Sequence, residues 1–201
     1  MPERPNSPVR NRTTEEVAGA FSRARRAQDQ WRRYSLSQRV AALRAFWAFL
    51  QKDRAGLAAV LAEETGKPSA EIEGMEIDAA GLILSYFTSN AHRILQDRAV
   101  PKPWFLLNKR AYVRHVPRGV AVLITPWNMP FLIPFGDAVP ALLAGNAVVL
   151  KPSEWTTSTA LYLEERARSS GILPEGLLQV LPGDGATGAE AAEHADMIVF
   201  T

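Results

Sequence analysis

Asn128 is a neutral polar residue placed directly after a hydrophobic run, in the stretch "VLITPWNMPFLIP" that covers residues 122–134. Its NH₂ group donates hydrogen bonds and does not titrate near neutral pH. Asparagine is also favoured at the start of a helix, where its side chain caps free backbone N–H groups. The residues around Asn128 leave both roles open, that of a functional donor and that of a helix cap.

Lys151 and Glu154 form a second candidate pair, in the tetrapeptide "KPSE" at the end of the apolar run "NAVVLK". A lysine that ends a buried strand is costly unless a partner compensates its charge. Glu154, three residues later, can supply that partner. A simple ion pair is therefore the alternative to a role in binding a ligand.

A third candidate segment is "PGDG", which follows the apolar run "LLQVLP". The residues "GDGATG", from Gly183 to Gly188, have the spacing G-x-G-x-x-G. The dinucleotide-binding fingerprint of that form occupies the first strand–helix turn, whereas this segment follows the third apolar run. The match is weak when taken alone, and Gly183 is interpreted as a turn residue.

Short apolar segments alternate with helical ones through the C-terminal half, and this alternation would position the three candidates. The strand-like segments are "GVAVLIT", "NAVVLK", "LLQVLP" and "DMIVFT", the last also interpreted as buried; the helical stretches are Phe131–Ala144, Thr156–Ser170 and Ala186–His194. Apolar strands joined by helical crossovers predict a parallel sheet covered on both faces. We therefore predict an α/β, Rossmann-like fold with helices on both faces, in which ligands gather at the carboxyl ends of the strands.

The N-terminal half is predicted to be helical. Apolar residues recur at helical spacing in a first helix, Ser35 and Gln38 resemble a capping box, and Gly66 with Pro68 ends a third helix. A long fourth helix from about Ser69 to Leu95 is predicted to follow. Its inward face is expected to comprise Ile72, Met75, Ala79, Leu82 and Tyr86.

Composition limits the classes of function. Of the 201 residues, 47% are hydrophobic and 22% charged, which predicts a packed globular core. Residues 1–54 carry eleven arginines and one lysine against five acidic residues. The solvated face of an amphipathic helix explains these charges better than nucleic-acid binding, because no nucleic-acid-binding module is visible. No apolar run could cross a bilayer and the start does not resemble a secretory signal, so we expect a cytoplasmic protein without membrane partners.

The chain contains no cysteine, which excludes disulfides, thiolate metal sites and a cysteine nucleophile within these residues. The histidines are His92, His115 and His194, and none has a second ligand at metal spacing. We therefore expect no metal site.

The blocks "PWN", "KPSE" and "PGDG", in this order and spacing, resemble the cofactor-binding half of the NAD(P)-dependent aldehyde dehydrogenase superfamily. The upstream "EETGKP" matches the same family, so the resemblance extends from about Thr13 to the last residue. Members attack an aldehyde with a cysteine thiolate, and the resulting thiohemiacetal passes a hydride to nicotinamide. The resemblance implies that Asn128 donates to the oxygen that becomes negative during this reaction.

The resemblance also implies the residues that hold the cofactor. These are Thr125, Pro126, Trp127, Lys151, Ser153, Glu154 and Gly185. Thr125 to Trp127 match the segment near the nicotinamide, Lys151 and Glu154 match residues at the adenosine ribose, and Gly185 matches a glycine near the adenine. A carboxylate at the ribose 2′-hydroxyl disfavours a 2′-phosphate, so NAD is expected, with NADP as the alternative.

Three elements of the family are expected beyond residue 201: a glycine-serine turn at the pyrophosphate, a glutamate base and the cysteine nucleophile. The chain is therefore expected to be truncated and inactive alone. The complete enzyme is expected to be a homodimer or tetramer that oxidises an aldehyde, a small-molecule substrate, to a carboxylic acid. We divide the chain into a helical part of the cofactor-binding domain (1–97), an extended arm or ribbon (98–118), and a Rossmann-like NAD(P)-binding part (119–201).

Two other functions are considered. One is a non-catalytic nucleotide-binding or assembly module, and the other is reduction of an acyl thioester within the same superfamily. Phe131, Phe135 and the helix from Met75 to Tyr86 could line a substrate tunnel, for which core packing is the alternative.

Overall fold

A four-stranded parallel sheet forms the centre of the computed structural model, which describes residues 9–101, 103–106 and 108–201. Residues 1–8 of the predicted helical part, and Lys102 and Leu107 of the predicted arm, lie outside the described residues. The strands are β3 (Val120–Ile124), β4 (Ala147–Lys151), β5 (Leu178–Val180) and β6 (Met197–Phe200), in the order β5-β4-β3-β6. The predicted α/β class and all four predicted strands are confirmed.

The register of the sheet brings the carboxyl ends of its strands to one rim. Ile124 lies opposite Lys151, and Leu150 lies opposite Val180. The next residues continue this alignment, because the Thr125 N–H donates to the Lys151 carbonyl at 3.1 Å and the Leu181 N–H donates to the Leu150 carbonyl at 2.8 Å. The three candidate segments therefore begin side by side.

Helices cover both faces of the sheet. The crossovers α6 (Leu132–Leu143) and α7 (Thr157–Ser170) each advance by one strand, whereas α8 (Gly185–His194) returns across the sheet to β6. Right-handed crossovers that run in opposite directions lie on opposite faces. In agreement, α1 (Thr14–Trp31) packs with α8 against the sheet, whereas α2 (Leu36–Lys52) and α3 (Arg54–Thr65) pack on α7.

The N-terminal helices start and stop at the predicted signals. Ser35 forms a complete capping box with Gln38, and Gly66 ends α3 in the left-handed conformation, with φ at 67°. Trp31 buries its ring and donates from Nε1 to the Leu142 carbonyl at 2.8 Å, so α1 is fastened to the end of α6. Helices and sheet share one hydrophobic core.

The predicted fourth helix is interrupted by a π-helical segment. A turn, α4 (Ser69–Glu71), leads into the π segment Ile72–Asp78, which continues as α5 (Ala79–Leu95). One extra residue in a helix turns all later side chains by about 100°. The predicted inward face is therefore wrong beyond Ile72. Met75, Leu82 and Tyr86 are exposed and Ala79 is half-buried, whereas the buried positions are Glu76, Ile77, Ala80, Leu84, Thr88 and Ala91.

Two further segments complete the structure. The strands β1 (Arg98–Ala99) and β2 (Tyr112–Val113) pair antiparallel as an exposed ribbon, with a 3₁₀ turn at Trp104–Leu106 between them. The interpretation of "DMIVFT" as a buried strand is wrong for this chain, because β6 is an edge strand and Phe200 is 78% exposed. Among the described residues, no helix is both long and apolar enough to span a membrane.

Candidate functional site

The loop after β3 carries four of the predicted site residues. Thr125 is only 4% exposed, and its buried hydroxyl has no hydrogen-bond partner among the described residues. Pro126 is half-buried, whereas Trp127 is 55% exposed and Asn128 is also exposed. A buried hydroxyl without a partner is unusual in a folded protein. Thr125 therefore has hydrogen-bonding capacity that a ligand at this rim could use.

Asn128 does not cap the helix that follows it. Helix α6 begins after Phe131 with no side-chain cap from its own segment, and the Asn128 side chain makes no hydrogen bond to the described residues. Instead, Glu76 accepts from the N–H groups of Phe131 at 3.2 Å and Leu132 at 2.9 Å. The helix-cap interpretation of Asn128 is wrong, and its amide is left available.

A cavity of about 340 Å³ opens beside this amide. Its walls comprise Glu64, Thr65, Lys67, Trp127, Asn128, Trp155 and Thr156. The Thr156 hydroxyl is a second buried oxygen that lacks a partner among the described residues. Two indole rings with a few polar groups are typical of the wall of a small-molecule site.

Lys151 is nearly buried at the end of β4, with 5% of its surface exposed. Its Nζ lies 3.9 Å from Glu154 Oε2, and the Glu154 side chain is open to solvent. Burial lowers the pKa of Lys151, and the negative charges of Glu154 and Asp184 oppose this shift. The ion pair is therefore present, but its length leaves the ammonium hydrogens free for other acceptors.

Ser153 has a local role in the loop that carries the ion pair. Its hydroxyl accepts from the Trp155 N–H at 3.3 Å, and its carbonyl accepts from the Thr157 hydroxyl at 3.3 Å. These bonds tighten the turn between β4 and α7. Ser153 thus holds the shape of the segment on which Lys151 and Glu154 are displayed.

The loop after β5 presents Gly185 as the first residue of α8. A Cβ on Gly185 would meet no atom of the chain within 4 Å, so the space above it is open. Gly183 has φ at 150°, and a Cβ there would collide with the Thr187 hydroxyl, which agrees with its interpretation as a turn residue. Asp184 caps α8 through the Ala186 N–H at 2.7 Å.

The structure gathers all seven predicted cofactor residues and Asn128 on the same rim, although they face different spaces. Asn128 faces the 340 Å³ cavity, whereas Glu154 faces a neighbouring cavity of about 840 Å³. Glu64 and Trp155 line both cavities. Phe131 and Phe135 stack on each other at 5.4 Å and are buried, so they belong to the core and not to an open tunnel.

Three residues at the site escaped the sequence analysis: Glu64, Lys67 and Glu76. Lys67 donates from Nζ to the Asn128 carbonyl and to Glu76 Oε1, both at 2.6 Å. The sequence signal for Glu64 and Lys67 was the "EETGKP" block, which was interpreted as a helix stop and as part of the family resemblance. Within the described residues, no three histidine, cysteine, aspartate or glutamate side chains are grouped as a metal ion would need.

Comparison with known proteins assigns the family. The model described as "Aldehyde dehydrogenase family" matches residues 3–201. The chain is 35% identical over 192 residues to a putative succinate-semialdehyde dehydrogenase [NADP(+)] of Mycolicibacterium smegmatis, covering 94% of this chain and 36% of that protein. It is also 35% identical over 202 residues to human retinaldehyde dehydrogenase 3, covering 99% of this chain and 38% of that protein.

A solved structure agrees with these relatives. The crystal structure of PnpE in complex with nicotinamide adenine dinucleotide superposes with a TM-score of 0.84 at 30% identity, covering 93% of this chain and 38% of that one. The chain spans little more than a third of the length of these proteins. The strand order, the rim residues and the match over residues 3–201 lead to one assignment. The chain belongs to the aldehyde dehydrogenase family.

Proposed function

We propose that this chain provides the cofactor-binding wall and the oxyanion donor of an enzyme that oxidises an aldehyde to a carboxylic acid with NAD(P)⁺. The observation that carries the proposal is the Asn128 amide, which lies on the strand-end rim and makes no hydrogen bond to the described residues. A neutral donor held ready in this way stabilises an oxygen as it becomes negative.

The residues present fit a dinucleotide. Thr125 offers a buried hydroxyl without a partner, Lys151 offers unused ammonium hydrogens, and the space over Gly185 is open. Glu154 is placed to accept from ribose hydroxyls. When bound, the nicotinamide accepts the hydride that leaves the substrate carbon.

The chain's own part in the reaction is electrostatic. A thiolate that adds to the aldehyde carbon breaks the carbonyl π bond, and the electron pair moves to the oxygen. The Asn128 NH₂ donates to that oxygen, which is where the new charge develops. After hydride loss the carbon is a thioester, and water releases the acid and the thiol. The thiolate is not supplied by these 201 residues, since they contain no cysteine.

Asn128→Ala tests the proposal in the complete enzyme, by which we mean the product of the full reading frame that includes this chain. Loss of one oxyanion donor lowers kcat by about 100- to 1000-fold. We therefore expect aldehyde-dependent NADH formation, followed by absorbance, to fall by that factor while NAD affinity is retained. Asn128→Asp, which replaces the donor with an acceptor, should be at least as damaging.

The matched control is Asn90→Ala, which removes a half-buried amide on α5 whose partners among the described residues are the Tyr86 carbonyl and the Arg93 guanidinium. It should leave kcat unchanged. Undiminished kcat in Asn128→Ala would contradict the oxyanion role.

A second candidate is favoured by the lack of cysteine in the chain. It is a non-catalytic nucleotide-binding or assembly module, and a complete reading frame without a cysteine nucleophile would support it. A third, reduction of an acyl thioester, would appear as NADH consumption with a thioester substrate. We also propose that the complete enzyme is cytoplasmic and forms a homodimer or tetramer.

A further inference from the structure

Lys67 and Glu76 hold the loop that carries Asn128 from both sides. Lys67 Nζ donates to the Asn128 carbonyl at 2.6 Å and to Glu76 Oε1 at 2.6 Å. Glu76 Oε2 accepts from the N–H groups of Phe131 and Leu132, at 3.2 and 2.9 Å. The Lys67–Glu76 ion pair thus fixes the backbone at Asn128 and again at Phe131 and Leu132.

Glu76 is fully buried, with 0% of its surface exposed. A buried carboxylate is stable only when its oxygens are satisfied, and here both are, by one ammonium and two amides. It also lies at the positive end of the α6 dipole, where a negative charge is favourable. Both oxygens of this buried carboxylate are therefore matched by hydrogen-bond donors.

The π-helical segment explains how Glu76 reaches this position. In a regular helix the predicted inward residue was Met75, but the structure exposes Met75 and buries Glu76 beside it. A π segment lengthens the chain by one residue per turn and is frequently found at functional sites. Here the π segment directs the carboxylate of Glu76, instead of the thioether of Met75, towards the loop that carries Asn128.

Lys67 completes the arrangement from the end of α3. It directly follows Gly66, whose left-handed conformation reverses the chain towards the cavity. Its ammonium group has three hydrogens, and its partners are Glu76, the Asn128 carbonyl and, as a weak acceptor, Met129 Sδ at 3.5 Å. Glu71 lies further off, at 3.6 Å.

We propose that the Lys67–Glu76 pair is a positioning device that sets the direction of the Asn128 amide, an inference that rests on the proposed oxyanion role of Asn128. Apart from the weak contact between Lys67 and Met129 Sδ, the pair bonds the loop through its backbone, so the Asn128 amide itself remains free for substrate. Fixing both the carbonyl of residue 128 and the start of α6 restricts the rotation of the peptide units between them. Preorganisation of this kind is what makes a donor effective in catalysis.

The test uses Lys67→Met and Glu76→Gln in the complete enzyme. A displacement of a catalytic group by about 1 Å lowers the rate by about 100-fold. We expect kcat to fall by that order, while the NAD dissociation constant, measured by tryptophan fluorescence, does not change. Lys67→Arg retains the charge and the donors and should recover most of the loss. Glu71→Gln, which removes the other carboxylate near Lys67, should have no effect on kcat.

The decisive measurement combines variants. If the pair acts through Asn128, Lys67→Met will lower kcat no further in an Asn128→Ala background, since residues that act as one unit are non-additive. Full kcat in Lys67→Met and Glu76→Gln, or losses that multiply in the double variant, would overturn the inference. Full kcat in Asn128→Ala would instead overturn the proposed function.

A folding defect is a separate risk, because removing one partner of a buried pair is destabilising. Circular dichroism and melting temperature identify it. Should Lys67→Met not fold, Lys67→Arg and Glu76→Gln are compared by hydrogen exchange at Phe131 and Leu132. Faster exchange at those amides in a folded Glu76→Gln enzyme, together with lowered kcat, is expected; unchanged exchange and kcat would contradict the inference.

Discussion

Lys151 places an ammonium group where water is scarce. Its nearest carboxylate is 3.9 Å away, and among the described residues the amine makes no hydrogen bond. Burial lowers its pKa, so the group gains from any partner that brings negative charge or acceptors. Ribose hydroxyls at this position would supply acceptors without the repulsion that Glu154 would exert on a phosphate.

Glu154→Gln should shift the cofactor preference of the complete enzyme towards NADP. An exposed carboxylate about 4 Å from a like charge is worth on the order of 1 kcal/mol, so we expect the ratio of kcat/KM values to move about fivefold towards NADP. Steady-state kinetics with both cofactors in the complete enzyme measures this ratio. Glu165→Gln, at an exposed ion pair on α7, is the control. An unchanged ratio would show that Glu154 does not face the 2′ position.

The site residues that were predicted from short motifs lie close together in the sequence, whereas those that were not predicted make contacts between distant segments. Lys151 and Glu154 are three positions apart and follow the end of a strand. Their place on the rim therefore depends on local geometry and not on the packing of distant elements. Lys67 and Asn128 are 61 positions apart, and the bond between them depends on the packing of two separate helices. No local pattern encodes such a contact, so the pair could not be found from the sequence.

Two helices of the sheet, α6 and α7, depend on carboxylates from other elements. Helix α7, like α6, lacks a side-chain cap from its own N-cap residue. Glu64, at the end of α3, accepts instead from the N–H groups of Ser158 at 2.5 Å and Thr159 at 2.9 Å. The N-terminal helices therefore supply charge that the sheet domain needs at the starts of its helices.

Glu64→Ala should lower the free energy of unfolding by about 1 kcal/mol, the usual cost of losing an N-cap. Urea denaturation followed by circular dichroism measures the change. Glu63→Ala is the matched control, because Glu63 is exposed on the neighbouring position and makes no hydrogen bond to the described residues. Equal destabilisation by the two substitutions would argue against the capping role.

Tyr162 joins α7 to the junction between α2 and α3. Its hydroxyl donates to Asp53 Oδ2 at 2.7 Å, and Arg166 lies over its ring at 4.9 Å. Burial, followed by the hydrogen bond and the charge of Asp53, raises the pKa of Tyr162 to about 12. The raised pKa favours the neutral phenol in the folded state, so its contribution to stability is complete below pH 10 and is lost as the pH rises through about 12.

A spectrophotometric titration of tyrosinate should therefore show one group with a pKa of about 12, absent from Tyr162→Phe. Tyr162→Phe should be less stable than the wild type mainly below pH 10. The difference between their free energies of unfolding should therefore become smaller at higher pH. Tyr86→Phe, at an exposed position on α5, serves as control. Titration near pH 10 of the tyrosine that is lost in Tyr162→Phe would contradict this environment.

The course of the fourth helix shows a limit of helical periodicity. Caps and stops were readable because each involves residues within four positions, as at Ser35 and Gly66. The π segment has no such signal, since a period of 3.6 residues is assumed in assigning a face. Tertiary contacts decide its position, because burying Glu76 against α6 satisfies two amides that a regular helix would leave without partners.

At the scale of the molecule, apolar surfaces remain uncovered among the described residues. One is the face of α5 with Leu82 and Tyr86, and another is the edge strand β6 with Ile198 and Phe200. An apolar pattern indicates that a surface is covered, but not which residues cover it. The predicted sheet was therefore correct in its strands and in the helices that join them, whereas the predicted burial of β6 was wrong. Exposed apolar surfaces of this kind mark contact sites.

The cofactor wall also has one open side, which leads to a prediction for the 201-residue chain alone. In the proposed function, Thr125, Lys151 and Gly185 would contact a dinucleotide from one side of the rim, and β6 has no neighbour on its outer edge among the described residues. Contacts to only part of a ligand provide only part of its binding free energy. We therefore expect a dissociation constant for NAD of about 1 mM or weaker. Titration of NAD against tryptophan fluorescence measures it, because Trp127 lies exposed on the rim. Trp127→Phe identifies the part of the signal that comes from this residue. Micromolar binding by the chain alone would show that these residues already form a complete cofactor site.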